Sequence, residues 1–454
     1  MITVIKNGAI VLPDGLLRDD IIIEDGKITG FGSVPADLEY DASGCLIFPG
    51  FIDAHTHLQM DTGSTVTADS FETGTRAALA GGTTTIIDFA TQDKGGTLCE
   101  ALAAWHSRAD GSSSCNYGFH MAIVDWNDRV KGELPLMTKS GVTSYKVYMA
   151  YDALRVSDAE IFDILKSVSE QGGIVGAHCE NGDIVNCLVK QNLAKGNTSP
   201  TFHPLSRPDY VEEEAIDRYI SIAKAADSPV NIVHLSTKKG YERIMKARKE
   251  GQKVFIETCP QYLTLTDEVY ELPDFEGAKF VCSPPIRKSN DKKALLKAVQ
   301  NGDIDMVSTD HCSFNFHGQK DLGINDFSGI PNGLPGIEHR PVIFYSACVN
   351  SGICSPMDMA RMLSENPARL FGMYPEKGVI LPGSDADITI IDTNAVRTIS
   401  ASNQEQNVDY SPWEGYELTC SIKAVFLNGV LSAENGRISV PNSGRYIPRK
   451  RSMH

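Results

Sequence analysis

The sequence predicts an α/β protein, a (β/α)8 TIM-like barrel with a small composite β-sandwich domain built from both ends of the chain. Three observations lead there. The middle of the chain alternates short apolar runs with amphipathic, helix-like stretches, the pattern of repeated βα units. Both ends read instead as short strands broken by tight turns. The 454 residues exceed the ~250 of a barrel by enough to fold a second, smaller unit.

Taken in order, residues 1–48 supply the first part of the β domain. Within them Ile21-Ile22-Ile23-Glu24-Asp25-Gly26-Lys27-Ile28 carries a hairpin signal at Asp25-Gly26, a pair suited to a two-residue turn. The barrel spans 49–374, with eight candidate strands ending near His55 to His57, Phe89, Ile123, Tyr148, His178, Leu235, Thr258 and Asp310. One intervening segment starts with the capping box Ser157-Asp158-Ala159-Glu160 and continues with Ile161, Leu165 and Val168 at helical spacing. The stretch 311–337, rich in Gly, Asn and Pro, reads as a loop over the barrel mouth. Residues 375–454 return to strand patterns ahead of turn signals such as Asn428-Gly429 and complete the β domain. The basic tail Arg449-Lys450-Arg451 reads as solvated on charge grounds.

Composition removes several classes of function. With 42 basic against 58 acidic side chains the net charge is −16, which disfavours nucleic acid and anionic membrane surfaces as partners. The first residues lack a basic and then apolar leader, and no apolar run reaches the ~18 residues of a membrane span. A cytoplasmic enzyme is the expectation. The 11 cysteines are an odd number without paired CxxC spacing, which suggests neither a disulfide framework nor a structural zinc knuckle.

The residues with chemistry cluster at predicted strand ends. Phe48-Pro49-Gly50-Phe51-Ile52-Asp53-Ala54-His55-Thr56-His57 is an apolar strand closing in His-x-His. Alternate strand residues share a face, so His55 and His57 can share one metal. His178 closes one apolar run, and His234 nearly closes another. A lone imidazole there is more often a satisfied core residue; two in register with His-x-His point to ligation at the catalytic end of a barrel. Asp310, after Ile304-Asp305-Met306-Val307-Ser308-Thr309, reads as a metal ligand and proton carrier or as a helix cap. Lys146, in Thr143-Ser144-Tyr145-Lys146-Val147-Tyr148-Met149, would by itself be a snorkelling or edge-strand lysine. Beside the histidines and Asp310 it completes a set for two divalent metal ions, able to activate water against an amide. Nitrogen and oxygen donors suit zinc, with manganese or cobalt compatible.

In order along the chain, Gly81-Gly82-Thr83-Thr84-Thr85-Ile86-Ile87-Asp88-Phe89, Tyr145-Lys146-Val147-Tyr148-Met149-Ala150-Tyr151, His178-Cys179-Glu180-Asn181-Gly182, Cys259-Pro260-Gln261-Tyr262-Leu263, Thr309-Asp310-His311-Cys312 and Ile330-Pro331-Asn332-Gly333 resemble the cyclic amidohydrolase family, in its dihydropyrimidinase and D-hydantoinase branch. The resemblance covers essentially the whole chain. It implies a binuclear hydrolase that opens a dihydropyrimidine or 5-substituted hydantoin to an N-carbamoyl amino acid. By the same resemblance Lys146 is carboxylated by carbon dioxide and bridges both metals, His55 and His57 hold one metal with Asp310, and His178 and His234 hold the other. Asp310 shuttles the proton, Tyr151 donates its phenol to the developing oxyanion, and Ser283 and Asn332 grip the ureide, largely through backbone groups. A homotetramer is the implied assembly.

Two features separate this reading from its rivals. Dihydroorotase-like and allantoinase-like proteins place an arginine or a glycine-arginine stretch just after the second histidine, whereas this chain runs His57-Leu58-Gln59-Met60-Asp61. Dihydropyrimidinase-related cytoskeletal proteins, non-catalytic interaction partners, have lost metal ligands; the six positions are retained here. Where many hydantoinase-like members carry a Pro-aromatic gate, this chain has Met60-Asp61-Thr62-Gly63-Ser64-Thr65, a smaller or more polar run that leaves the substrate among cyclic ureides and imides open.

Overall fold

The alternation of apolar and amphipathic segments becomes, in the computed structural model, a sheet of 8 parallel strands in which each strand neighbours the next in sequence. The structure describes residues 1–452. The barrel strands are β1 (Phe51–Thr56), β2 (Thr83–Thr91), β3 (Asn116–Ala122), β4 (Ser144–Tyr148), β5 (Ile174–His178), β6 (Val230–Ile232), β7 (Val254–Thr258) and β8 (Met306–Val307). Every residue of β1, β3, β4, β5 and β6 is buried, as expected of parallel strands covered on both faces. Helices return the chain between strands. The segment from Asp158 to Glu170 starts at the expected capping box, with Ser157 Oγ accepting from Glu160 N and Glu160 Oε2 accepting from Ser157 N.

The last strand is shorter than the six-residue run in the sequence suggests, and the cause is local. Side-chain carboxylates take the place of ladder partners: Asp305 Oδ2 accepts from Ile256 N at 2.7 Å, and Asp53 accepts from both Thr309 N (3.1 Å) and Thr309 Oγ1 (2.7 Å). The barrel is then closed by the fully buried Arg340, whose Nη1 donates to Ile52 O on β1 and Val307 O on β8 at 2.8 and 2.9 Å. His57 N donates to His311 O at 2.8 Å. Side chains and this single backbone bridge make the seam, and the chain turns at Asp310 between them.

Strands from the two ends of the chain meet in one sheet of 7 strands, where Ile388–Asp392 pairs antiparallel with Cys45–Pro49. A second sheet of 4 strands contains the hairpin predicted at Asp25-Gly26, formed by Ile21–Glu24 and Lys27–Phe31. Ile5, Ile21, Ile23, Ile28, Ile47, Ile388, Ile390 and Phe426 fill a common apolar core. Burying such side chains contributes roughly 1.5–3 kcal/mol each before entropy is charged.

The C-terminal tail departs from the sequence reading. Arg449 is not solvated: it is only 3% exposed, its Nη1 donates to Ser144 Oγ at 2.5 Å and its Nη2 to Phe119 O. Arg449 N, Lys450 N and Ser452 N donate to the carbonyls of Gly141, Gly372 and Gly172. The tail crosses the floor of the barrel, below the N-terminal ends of β4 and β5. Charge alone suggested solvent, but a guanidinium supplied with carbonyl and hydroxyl acceptors can be buried.

Candidate active site

The opposite face, at the C-terminal ends of the strands, gathers the candidate ligands. β1 delivers His55 and carries the chain on to His57; β4 delivers Lys146, β5 His178, and the turns after β6 and β8 deliver His234 and Asp310. Asp310 Oδ1 lies 3.1 Å from His55 Nε2 and 3.2 Å from His57 Nε2, and Lys146 Nζ lies 2.9 Å from His55 Nε2. His178 Nδ1 and His234 Nε2 face each other at 3.0 Å. The donor atoms of His55, His234 and Asp310 lie within 4.8 Å of one another. The structure thus brings the six sequence-predicted positions into one cluster.

Carboxylates behind the ring decide which imidazole nitrogens face inward. Glu257, 1% exposed, lies 2.6 Å from His55 Nδ1. A carboxylate there accepts from Nδ1, which leaves Nε2 as the ring nitrogen that faces the cluster and could ligate a metal. Glu180 does the same for His178, lying 2.8 Å from Nε2 and leaving Nδ1 to face inward. Burial works against a charged Glu180, yet Arg207 at 2.5 Å and His178 hold its carboxyl down to about 2. Inward-facing ring nitrogens, a nitrogen-rich and thiolate-free donor set completed by the Asp310 carboxylate, and a buried His234 Nδ1 with no hydrogen-bond partner among the described residues fit a site for divalent metal.

Electrostatics separate Lys146 from Asp310. Burial lowers the Lys146 ammonium from its ordinary range, against the pull of Asp310 and Glu257. Burial acts in the opposite sense on Asp310, but His55, His57 and His234 hold it well below the usual carboxylate range. Asp310 retains 15% side-chain exposure, so it borders both the cluster and the mouth.

Tyr151 follows β4 and packs its ring 5.2 Å from that of His178. Burial pushes its phenol up to about 12 despite the opposing Arg207, so the hydroxyl remains a donor at neutral pH. Tyr151, His234 and Asp310 have φ of +68°, +42° and +54°, a left-handed backbone that costs roughly 1–3 kcal/mol per residue and persists only where the surroundings impose it. Ser283 and Asn332 sit on two loops that meet through Gly333 N donating to Val281 O at 3.0 Å. Ser283 Oγ and Asn332 Oδ1 are buried and have no hydrogen-bond partner among the described residues.

Sequence reasoning passed over several supporting residues. Glu257 carried a local signal, an acid inside the apolar run Val254-Phe255-Ile256. Asp88 lay inside a quoted motif without a role; its carboxylate accepts from Thr56 Oγ1, Leu58 N and Trp105 Nε1, each at 2.8 Å, and so brackets His57. Arg207 left no local mark, because its partner Glu180 is distant in the chain.

Known proteins share this fold over the length of the chain. The family model described as Amidohydrolase family matches residues 46–431. A D-hydantoinase from Streptomyces coelicolor is 42% identical, with 98% of each chain covered. Among solved structures, dihydropyrimidinase from Brevibacillus agri superposes with a TM-score of 0.98 at 42% identity, covering 100% of both chains. An L-hydantoinase (dihydropyrimidinase) from Arthrobacter aurescens reaches 0.91 at 29% identity, over 98% of this chain and 99% of that one. On a family match over most of its length and full-length relatives at 42% identity, the chain belongs to the amidohydrolase family.

Proposed function

We propose that the protein hydrolyses a cyclic ureide, a dihydropyrimidine or a 5-substituted hydantoin, to the corresponding N-carbamoyl amino acid. The observation that carries this reading is the convergence of His55, His57, Lys146, His178, His234 and Asp310 at one barrel mouth. His55, His57 and Asp310 would hold one divalent ion, with His178 and His234 on a second. Lys146, carboxylated by carbon dioxide with loss of a proton to solvent, would add a carboxylate to the ligand set. Two zinc ions so held supply an activated water and a polarised carbonyl.

The chain's own residues do the rest. Asp310, unprotonated before the reaction, takes the proton of the attacking water and returns it to the leaving ring nitrogen. Tyr151, kept protonated by burial, donates to the carbonyl oxygen as charge develops there. The Ser283 and Asn332 loops hold the ureide through backbone groups. The 60–66 loop is polar and tied down, with Gln319 Nε2 donating to Thr65 Oγ1 and Val66 O at 2.7 Å; it forms a polar rim in place of an aromatic gate. We further propose a cytoplasmic homotetramer, consistent with the absence among the described residues of any helix long and apolar enough to cross a membrane.

The test is release of N-carbamoyl product from dihydrouracil, 5-methylhydantoin, 5-phenylhydantoin and allantoin by zinc-loaded protein supplied with bicarbonate. Turnover of the first three with little from allantoin is the expected result, and the methyl-to-phenyl ratio reports what the polar rim admits. No turnover of those three with two ions bound per chain would overturn the ureide reading.

A further inference from the structure

Lys320 is fully buried and lies outside the metal cluster, on the mouth loop that follows β8. Its three ammonium protons match three backbone acceptors: Nζ donates to Val281 O at 2.7 Å and to Pro331 O and Gly333 O at 2.8 Å each. No carboxylate pairs with it among the described residues; besides those carbonyls its surroundings are the Phe314 ring, 5.7 Å away, and the thiols of Cys282 and Cys312. An ammonium without a counter-ion is expensive to bury, so the arrangement calls for a purpose beyond filling space. A methionine or leucine would fill the volume at no electrostatic cost, but it would leave the Pro331 and Gly333 carbonyls without donors and Val281 O with Gly333 N alone.

The position of those carbonyls supplies the purpose. Val281 stands two residues before Ser283, and Pro331 and Gly333 flank Asn332. One side chain therefore fixes the backbone of both loops assigned to the ring, while Ser283 Oγ and Asn332 Oδ1 stay buried without protein partners among the described residues. The neighbouring Gln319 reaches the 60–66 loop on the other side of the mouth, so adjacent residues clasp both rims. We infer that Lys320 is a positioning residue that cross-links the two ureide-holding loops and sets substrate affinity without touching substrate or metal. The inference rests on the ureide reading above. Its physical basis is pre-organisation: loops fixed before binding lose less freedom when the ligand arrives.

The experiment compares wild type, Lys320→Met, Lys320→Gln and the floor variant Arg449→Met on dihydrouracil and 5-methylhydantoin, with metal content and melting temperature measured for each. Lys320→Met should raise KM by at least roughly tenfold while kcat stays within about threefold and metal loading is complete. Lys320→Gln, which keeps two of the donors, should fall between it and wild type. Arg449→Met should lose thermal stability without moving KM. A KM unmoved in both Lys320 variants, or a loss of kcat together with metal, overturns the inference. Should Lys320→Met not fold, Lys320→Gln alone decides by the same KM criterion. Absence of ureide turnover by wild type itself is a different outcome, which removes the ureide reading and this inference with it.

Discussion

The mouth and the floor of the barrel both force the backbone into the left-handed region, but with different residues. At the floor the positions are glycines: Gly372 and Gly172, at φ of +75° and +72°, lie beneath the C-terminal tail. A Cβ on Gly372 would overlap the Lys450 carbonyl, so backbone there must approach backbone. At the mouth the loop glycines Gly63 and Gly318 take this region too, but beside the candidate ligands it is Tyr151, His234 and Asp310 that do. There the side chain is what the site needs, and the cost of the conformation is accepted. The floor spends conformational freedom on closure, whereas the mouth stores strain in groups with assigned chemistry.

The largest effect should come from Lys146, the buried lysine whose amine the mouth puts beside the candidate metal ligands. Lys146→Ala should leave both ions unbound and lower kcat/KM by at least roughly 10³-fold. Short carboxylic acids such as acetate or propionate should restore part of both, because they replace the missing bridging carboxylate. Metal counting with and without the acid checks this. Full activity in the unrescued variant would place Lys146 with the structural cations Arg340 and Arg449 and erase the contrast between the two ends.

Tyr151→Phe should come next. The ring, its packing on His178 and the left-handed backbone are kept, and only the hydroxyl donor is lost. A fall in kcat of about 10²-fold, with KM and metal content little changed, is expected for one oxyanion donor. A larger change in KM than in kcat would make the phenol a binding group and move its strain to the ground state.

What could be read from the sequence follows the range of the interactions. His55 and His57 were legible because strand periodicity puts them on one face, and Lys146 and Asp310 because charge in an apolar run stands out. The hairpin at Asp25-Gly26 was legible because turn chemistry is local. Glu180 and Arg207 pair across distant segments, Lys320 answers to carbonyls at 281, 331 and 333, and Arg449 ends beside Ser144 and Phe119. These pairings all reach beyond a single strand or turn. In the tail, Lys450 and Arg451 are exposed as charge implies, and only Arg449 departs, because its acceptors are not visible in the sequence. The short β8 has the same origin, since Asp53 and Arg340 replace a ladder that periodicity would have continued.

The smallest effect sharpens the contrast from the floor. At Gly172 an added Cβ would come 2.9 Å from Arg451 Cδ, part of a flexible chain that can move aside. What remains is the cost of placing an L-residue at φ +72°, about 1–2 kcal/mol. Gly172→Ala should therefore lower the unfolding free energy by that amount in a urea titration, while kcat/KM and metal content stay within about twofold of wild type. If turnover falls with stability, strain at the floor is transmitted along β5 to His178, and the two ends of the barrel act as one unit. If stability alone falls, the floor can be altered independently of the site, and backbone strain bears on turnover only where a reacting side chain sits on it.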